Sequence, residues 1–378
     1  MSSVPEDVYL EILLRVPVKS TFTCKCVCKT WLSIISNPNF VNQHVNVTAQ
    51  RNNNLLMLKG RTDDCVDVLL SVGCDSLVSE INDDDVVVQD CPYKPVRYMD
   101  LMGSCNGLVC VWSSGRKLYC IWNPFTREFK ELPKSPIKYD EKDVSLHVFG
   151  YDCKNDDYKL INVVDHSSLV HVYTLRSNSW RRGKAMPYRF SRQGMPYSFS
   201  RQGSGVLVNG AWHWVGSKRD NGDSKLIIPL DIKDVKFQEL PLSKEVFKNN
   251  DLSMTIGALR ERLCAIFDVG VGFEVWMMKE YGVRESWTKC YHISHDKIKN
   301  NHCFRLLCSL RNSEILLLSH DTLVSYDPKD GSARQHNING VKNFHDKVDY
   351  FESLVSLGSG KYVGVQDRKE VYWSDAEG

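Results

Sequence analysis

The sequence predicts a two-part protein: a small all-α module of three helices followed by a long all-β, propeller-like domain. Helical spacing of apolar residues is confined to roughly the first 40 residues. Beyond Gln50 the chain turns to short apolar strands separated by Gly, Asn and Asp turns. A turn followed by an apolar strand then recurs about every 50 residues, the interval of kelch-type propeller blades. A length of 378 residues suits a small module joined to a large one better than a single core.

The first helix is read from Ser3 and Glu6 at capping-box spacing, Pro5 in the first turn, and Val8/Ile12 and Tyr9/Leu13/Val16 at helical intervals. Pro17 ends it. A second helix begins near Ser20 with Phe22, Cys26 and Val27 turned inward, and a third carries Trp31, Ile34 and Ile35 until Asn37-Pro38 breaks it. So short a stretch buries little core, so surplus apolar residues there predict an interface with a partner.

Three regions follow from these patterns: residues 1–45 helical, 46–102 a linker with the first strands and an acidic loop, and 103–378 the β domain. The turn-then-strand marker falls at Asn106-Gly107, Asn155-Asp156-Asp157, Asn209-Gly210, Arg260-Glu261-Arg262, Arg311-Asn312-Ser313 and Gly358-Ser359-Gly360. A second marker, an apolar strand leading into a polar turn as at Trp122-Asn123-Pro124-Phe125, falls between the first ones and has the shape of an outer hairpin. About six imperfect blades account for both markers, with a pair of β-sandwiches as the alternative. A closed ring leaves no exposed edge, so a strand over Asn53–Lys59 is expected to pair with one near Lys361–Val365. MPYRFSRQG from Met186 is repeated as MPYSFSRQG from Met195, and such a duplication is expected in an exposed loop.

A formal charge of +2 gives no global reason to expect nucleic acid or an anionic membrane as partner. Locally, Asp63 to Asp90 is acidic throughout, and Arg176 to Arg201 carries seven cations and no carboxylate, either a solvated loop or a stretch that steers an acidic partner. Acids near the N-terminus and the lack of a long apolar run predict a cytosolic or nuclear protein. The 14 cysteines are then small buried hydrophobes. Cys24, Cys26 and Cys28 stand at two-residue steps and would point to different faces of a helix, so no metal is expected there. HExxH, GxSxG and phosphate-loop patterns are absent, so neither catalytic residues nor a cofactor are expected.

The run VPEDVYLEILLRVPVKSTFTCKCVCKTWLSIISNPNF, from Val4 to Phe40, resembles an F-box. GSCNGLVCVW, LYCIWNPFTREFKELP and VFGYDCKNDDYKL resemble the F-box-associated domain of plant F-box proteins, and YFESLVSL is similar to tail pieces of the S-locus F-box-like branch. The resemblance implies a non-catalytic substrate receptor of an SCF-type ubiquitin ligase, bound to a Skp adaptor and through it to a cullin. Its target is a protein, of S-locus ribonuclease type if the branch similarity is functional. Val4, Pro5, Ile12, Leu13, Pro17, Val18, Val27 and Trp31 would supply the adaptor face, with Trp31 as anchor. Several of these could instead fill the module's own core. The β domain would hold the target through loops, with Arg181, Arg182 and Arg192 as candidate contacts. Thr21-Phe22-Thr23-Cys24 stands where the family carries a Leu-Leu-Arg-Phe-like stretch, which implies weaker docking and keeps open an interaction scaffold without a ligase link.

Overall fold

The computed structural model describes residues 5–51, 55–78, 85–136, 145–165, 167–190, 202–203, 205–219, 225–247, 252–298, 304–319, 322–336, 338 and 340–364. Four helices open the chain: α1 (Glu6–Arg15), α2 (Val18–Cys24), α3 (Lys29–Ser36) and α4 (Pro38–Gln50). Glu6 and Asp7 lie in the first turn of α1 and Arg15 in its last, each complementing the helix dipole. Pro17 then separates α1 from α2. The sequence reading gave three helices because it took Asn37-Pro38 only as a break. The same pair is also a start signal: Asn37 Oδ1 accepts from Asn39 N–H at 2.9 Å and Pro38 occupies the first turn of α4. Phe40, His44 and Val45 then recur on one buried face. Ser3, read as a cap of the first helix, lies outside the described residues.

The rest is a ring of six sheets, antiparallel except where a short strand adds in parallel to the third. Blade 1 takes β1 (Leu55–Arg61), β2 (Asp67–Gly73) and β3 (Val86–Val88). Blade 2 is β4 (Met99–Cys105), β5 (Leu108–Ser113), β6 (Leu118–Trp122) and β7 (Phe129–Glu131). Blade 3 is β8 (Ser145–Asp152), β9 (Asp157–Val164), β10 (Leu169–Thr174) and β11 (Ser179–Arg182). Blade 4 holds β12 (Tyr188–Phe190), β14 (Val206–Val208), β15 (Ala211–Lys218), β16 (Leu226–Asp231) and β17 (Lys236–Phe237), while β13 (Gln202–Gly203) pairs with β8. A single helical turn, α5 (Lys244–Phe247), leads to blade 5: β18 (Met254–Leu259), β19 (Arg262–Asp268), β20 (Gly272–Met278) and β21 (Trp287–Ser294). Blade 6 is β22 (Phe304–Ser309), β23 (Ile315–Ser319), β24 (Thr322–Tyr326) and β25 (Ala333–His336), and β26 (Lys342–Tyr350) returns to pair with β1.

The turn markers map onto this plan for a stereochemical reason. A two-residue hairpin needs positive φ at both central residues, and Asn106 and Gly107 supply 53° and 80°, Asn209 and Gly210 50° and 72°. The sixth marker, Gly358-Ser359-Gly360, opens no blade; it lies after β26 at a bend, with positive φ at Gly358 and Gly360. The closure is corrected with it. β1 pairs with β26, Leu55 opposite Tyr350 and Met57 opposite Val348, and not with residues near 361. Residues 361–363 instead follow the β6–β7 turn, where Phe129 N–H donates to Lys361 O and Val363 N–H to Arg127 O.

One apolar cluster fills each blade-to-blade interface. On β1, Leu56 and Leu58 face blade 6 while Met57 faces blade 2, so both sides of the strand are covered. That is why such strands read as unbroken apolar runs instead of alternating ones. The duplication is divided by the same logic. Met186, Tyr188 and Phe190 of its first copy are buried in the cluster between blades 3 and 4, which overturns an exposed loop for this part. Residues 191–201, including the second copy's MPYSF, lie outside the described residues.

A charged group sits inside the closing seam. The Asp346 carboxylate on β26 accepts from Leu101 N–H of β4 at 2.6 Å, fastening blade 1 to blade 2. Burial pushes its pKa up to about 7, helped by Asp100 and opposed by the Leu101 hydrogen bond, Lys59 and Arg305. Because the folded protein holds this proton more tightly than an unfolded chain, the stability it contributes is full in acid and is lost as pH rises through about 7. Denaturant unfolding at pH 6 and pH 8 should therefore differ by about 1 kcal/mol more in the parent, towards stability at pH 6, than in Asp346→Asn. Equal pH dependence in the two proteins would contradict this.

Candidate functional site

The helical module holds two kinds of apolar residue. Leu13, Val18, Ile34, Ile35 and Phe40 form its own core, with Leu13 wholly buried and Val18 5% exposed. Val8, Ile12, Val27 and Leu32 face solvent at 43%, 48%, 63% and 46% exposure. For a module this small, these four, with Phe22 at 44% exposure as a fifth, are a surplus that calls for a cover. Leu13 and Val18, expected on the outer face, lie behind it in the fold. Val8 and Leu32 stand on that face outside the expected set, although Val8 lies one helical turn before Ile12.

The other expected face residues are distributed as follows. Pro5 and Pro17 are exposed at the starts of α1 and α2, and Trp31 is half-buried, packed edge-on against Tyr9 at 6.0 Å. Val4 lies outside the described residues. The departure at Thr21–Cys24 has a visible internal use. Thr21 is buried and donates to Val16 O and Pro17 O, both at 3.1 Å, while His44 Nε2 of α4 reaches Val16 O at 3.0 Å. Burial lowers the His44 pKa, so a neutral ring ties α4 to the α1–α2 corner. Thr23 is exposed and donates only to Lys19 O within its helix.

Phe22 leaves this module and meets Phe125 of the β6–β7 turn edge-on at 5.6 Å. Val41 and Val45 of α4 pack into the cluster between blades 2 and 3, so the helices sit on those blades. The side of the propeller they meet is the end carrying the β4–β5 and β6–β7 turns. The opposite end, with turns such as Arg61–Asp67 and Asp268–Gly272, points away from them.

Of the basic stretch, Arg181 and Arg182 are exposed on β11, the outer strand of blade 3, paired through the backbone with Val172 and His171. Neither has an ion-pair partner among the described residues, whereas Arg176 reaches Asp156 at 3.4 Å. Arg192 lies outside the described residues. The acidic stretch is largely engaged where it is described: Asp63 pairs with Lys342, Asp67 with Arg61 and Asp75 with Arg311. Cys24 is half-buried and Cys26 and Cys28 are exposed, and Cys28 Sγ caps α3 by accepting from Trp31 N–H. Among the described residues no helix is long and apolar enough to cross a membrane.

Two family descriptions match the chain: an F-box domain over residues 1–43 and an F-box associated beta propeller domain over residues 46–359. Among curated relatives, F-box protein CPR1 of Arabidopsis thaliana is 30% identical, over 98% of this chain and 93% of its own length. The F-box protein At3g07870 of the same plant is 28% identical over 92% and 91%, and the F-box/kelch-repeat protein At3g23880 is 27% identical over 94% and 96%.

The division between core and face has a direct consequence for stability. Leu13→Ala empties a wholly buried site and should cost about 2–4 kcal/mol in the helical module, whereas Ile12→Ala should change stability by under about 0.5 kcal/mol. Hydrogen exchange of α1 and α4 in the two variants checks the contrast. Similar losses in both would mean that Ile12 belongs to the core.

Proposed function

The chain belongs to the F-box proteins that carry an F-box associated beta propeller domain, and on that premise we propose that it is the substrate-recognition subunit of an SCF-type ubiquitin ligase. In this reading its helices dock on a Skp adaptor and thereby on a cullin, and the propeller holds a protein marked for degradation. The subunit performs no bond chemistry. It raises the local concentration of the target's lysines beside a conjugating enzyme that carries ubiquitin.

The observation that carries the reading is the solvent-facing set Val8, Ile12, Val27 and Leu32 on a module anchored to a propeller. Pro5 and Pro17 extend this face and Trp31 supports it at the α1–α3 contact; Leu13 and Val18 act from behind by holding the helices in place. Ile12→Glu with Val27→Glu would bury charge against an apolar partner surface, which hot-spot energetics makes costly by at least about 2 kcal/mol per site. The double variant should melt like the parent and lose adaptor capture in a pull-down with purified adaptor. If the parent itself fails to capture the adaptor, the chain is an interaction scaffold, as the departure at Thr21–Cys24 also allows.

The target is proposed to meet the propeller at surfaces the helices leave free, with Arg181 and Arg182, which have no ion-pair partner among the described residues, steering an acidic partner. Arg181→Glu with Arg182→Glu should then slow association with captured targets more than it speeds dissociation, and raising salt on the parent should reproduce the effect. Unchanged association rates at low salt would return β11 to the status of a solvated edge.

A further inference from the structure

Resting on that reading, the geometry points to Glu128 as a positioning residue that, through segment 351–363, fixes how the adaptor-docking helices sit on the propeller. The segment follows β26 and belongs to no blade. Its first residues run without regular structure to a bend at Gly358, where φ is positive as it is at Gly360, and its side chains enter two bodies. Leu354 enters the core of the helical module beside Leu13 and Phe40, while Val355 and Leu357 enter the cluster between blades 2 and 3. One short strap thus touches both parts of the molecule.

The β6–β7 turn is shaped to grip it. Asn123 Nδ2 donates to Ser353 O at 3.1 Å and to Val355 O at 2.8 Å. The Glu128 carboxylate, 2% exposed, accepts from Ser356 Oγ, Leu357 N–H and Ser359 N–H at 2.8 Å each, and from Ser359 Oγ at 3.2 Å. Burial opposes the charge, yet these donors outweigh it and hold the carboxyl below the usual glutamate range. Gly107 completes the seat. A Cβ there would stand 2.3 Å from Ser353 Oγ and 2.7 Å from Phe351 O, so only glycine lets the strap lie this close.

A six-residue hairpin turn has no need of a buried acid for its own sake; four donors from another part of the chain account for it. Among the described residues, the contacts between the two bodies also include the edge-on Phe22–Phe125 pair and the insertion of Val41 and Val45, which are apolar, and Lys19 of α2 attracts the Glu352 carboxylate of the strap. Directional hydrogen bonds to a fixed carboxylate are what can set an orientation and not merely an adhesion.

Two variants of the full chain test this: Glu128→Ala, which removes the acceptor, and Ser356→Glu, which places a second carboxylate against Glu128 from an exposed position. Hydrogen exchange by mass spectrometry should find segment 351–363 and α4 exchanging roughly tenfold faster or more in both variants, with β15, β16, β19 and β20 at the parent rate. Small-angle scattering should find a larger maximum dimension, and adaptor capture should stay at the parent level. Three results overturn the inference: an unchanged strap, a loosened strap with α4 and the scattering profile unchanged, or faster exchange in every blade. Absence of adaptor capture by the parent would sink the ligase reading alone, because exchange and scattering still decide whether Glu128 sets the joint.

Discussion

Pairing of the last strand with the first governs this molecule. β26 lies along β1 from Tyr350 opposite Leu55 to Lys342 opposite Arg61, so blade 1 is assembled from both ends of the β domain. An open array of blades would expose a strand edge at each terminus and leave two of its interfaces uncovered. With the ring shut, Leu56 and Leu58 are buried against blade 6, and Met57 packs with Val348 and Tyr350 against blade 2. The pairing also brings together residues nearly 300 positions apart, which makes it entropically demanding. Its side chains reflect that demand: Ser71 and Tyr350 share a hydrogen bond at 2.7 Å across the blade, and Asp346 reaches the backbone of β4.

The register of this closure decides what can happen at the chain's two flanks. Leu55 follows shortly after α4, and Tyr350 is its direct partner. Whatever precedes Leu55 and whatever follows Tyr350 must therefore emerge at the same place on the ring. The helices and segment 351–363 are neighbours for this reason, and Leu354 can enter the helical core without any long excursion. Closure and joint are thus one piece of topology, seen first between strands and then between bodies.

What was legible in the sequence follows from how directly each position advertises its surroundings. Strands covered on both faces read as apolar runs, and Asn-Gly pairs announce hairpins, so the markers of blades 2 to 6 could be read in order, whereas the strands of blade 1 fall within residues 46–102, which read as a linker with the first strands. β26 could not. Phe344, Asp346, Val348 and Tyr350 form its buried face, and a carboxylate in that series hides the alternation that would have marked a strand. The reading therefore moved the closure to residues near 361, whose glycines imitate a blade turn but belong to the strap. α4 was missed because Asn37-Pro38 means both stop and start. At the docking face, periodicity gave the helices but not their rotation: Ile12 and Leu13 are adjacent and both apolar, and only packing against Ile35 and Phe40 decides which turns inward.

The strap gives a physical meaning to residues that composition alone cannot interpret. Asn123 Oδ1 shapes the β6–β7 turn by accepting from Phe125 and Thr126 N–H, while its amide and the Glu128 carboxylate take their partners from outside the turn, and YFESLVSL from Tyr350 to Leu357 has too little regular structure to be read as an element. Each makes sense only with the other: amide and carboxylate supply one side of the hydrogen bonds, backbone and serines the other. In the receptor role proposed above, such a joint would matter. Tethering a target by a flexible link gives an effective concentration spread over all the volume the link can sweep, whereas a fixed link confines the target's lysines to a narrow region near the transferring enzyme. Orientation therefore enters the rate separately from either binding affinity. The cost is borne by a buried carboxylate that is stable only while all its donors are in place, so the joint is the point where small local changes would be felt across the whole assembly.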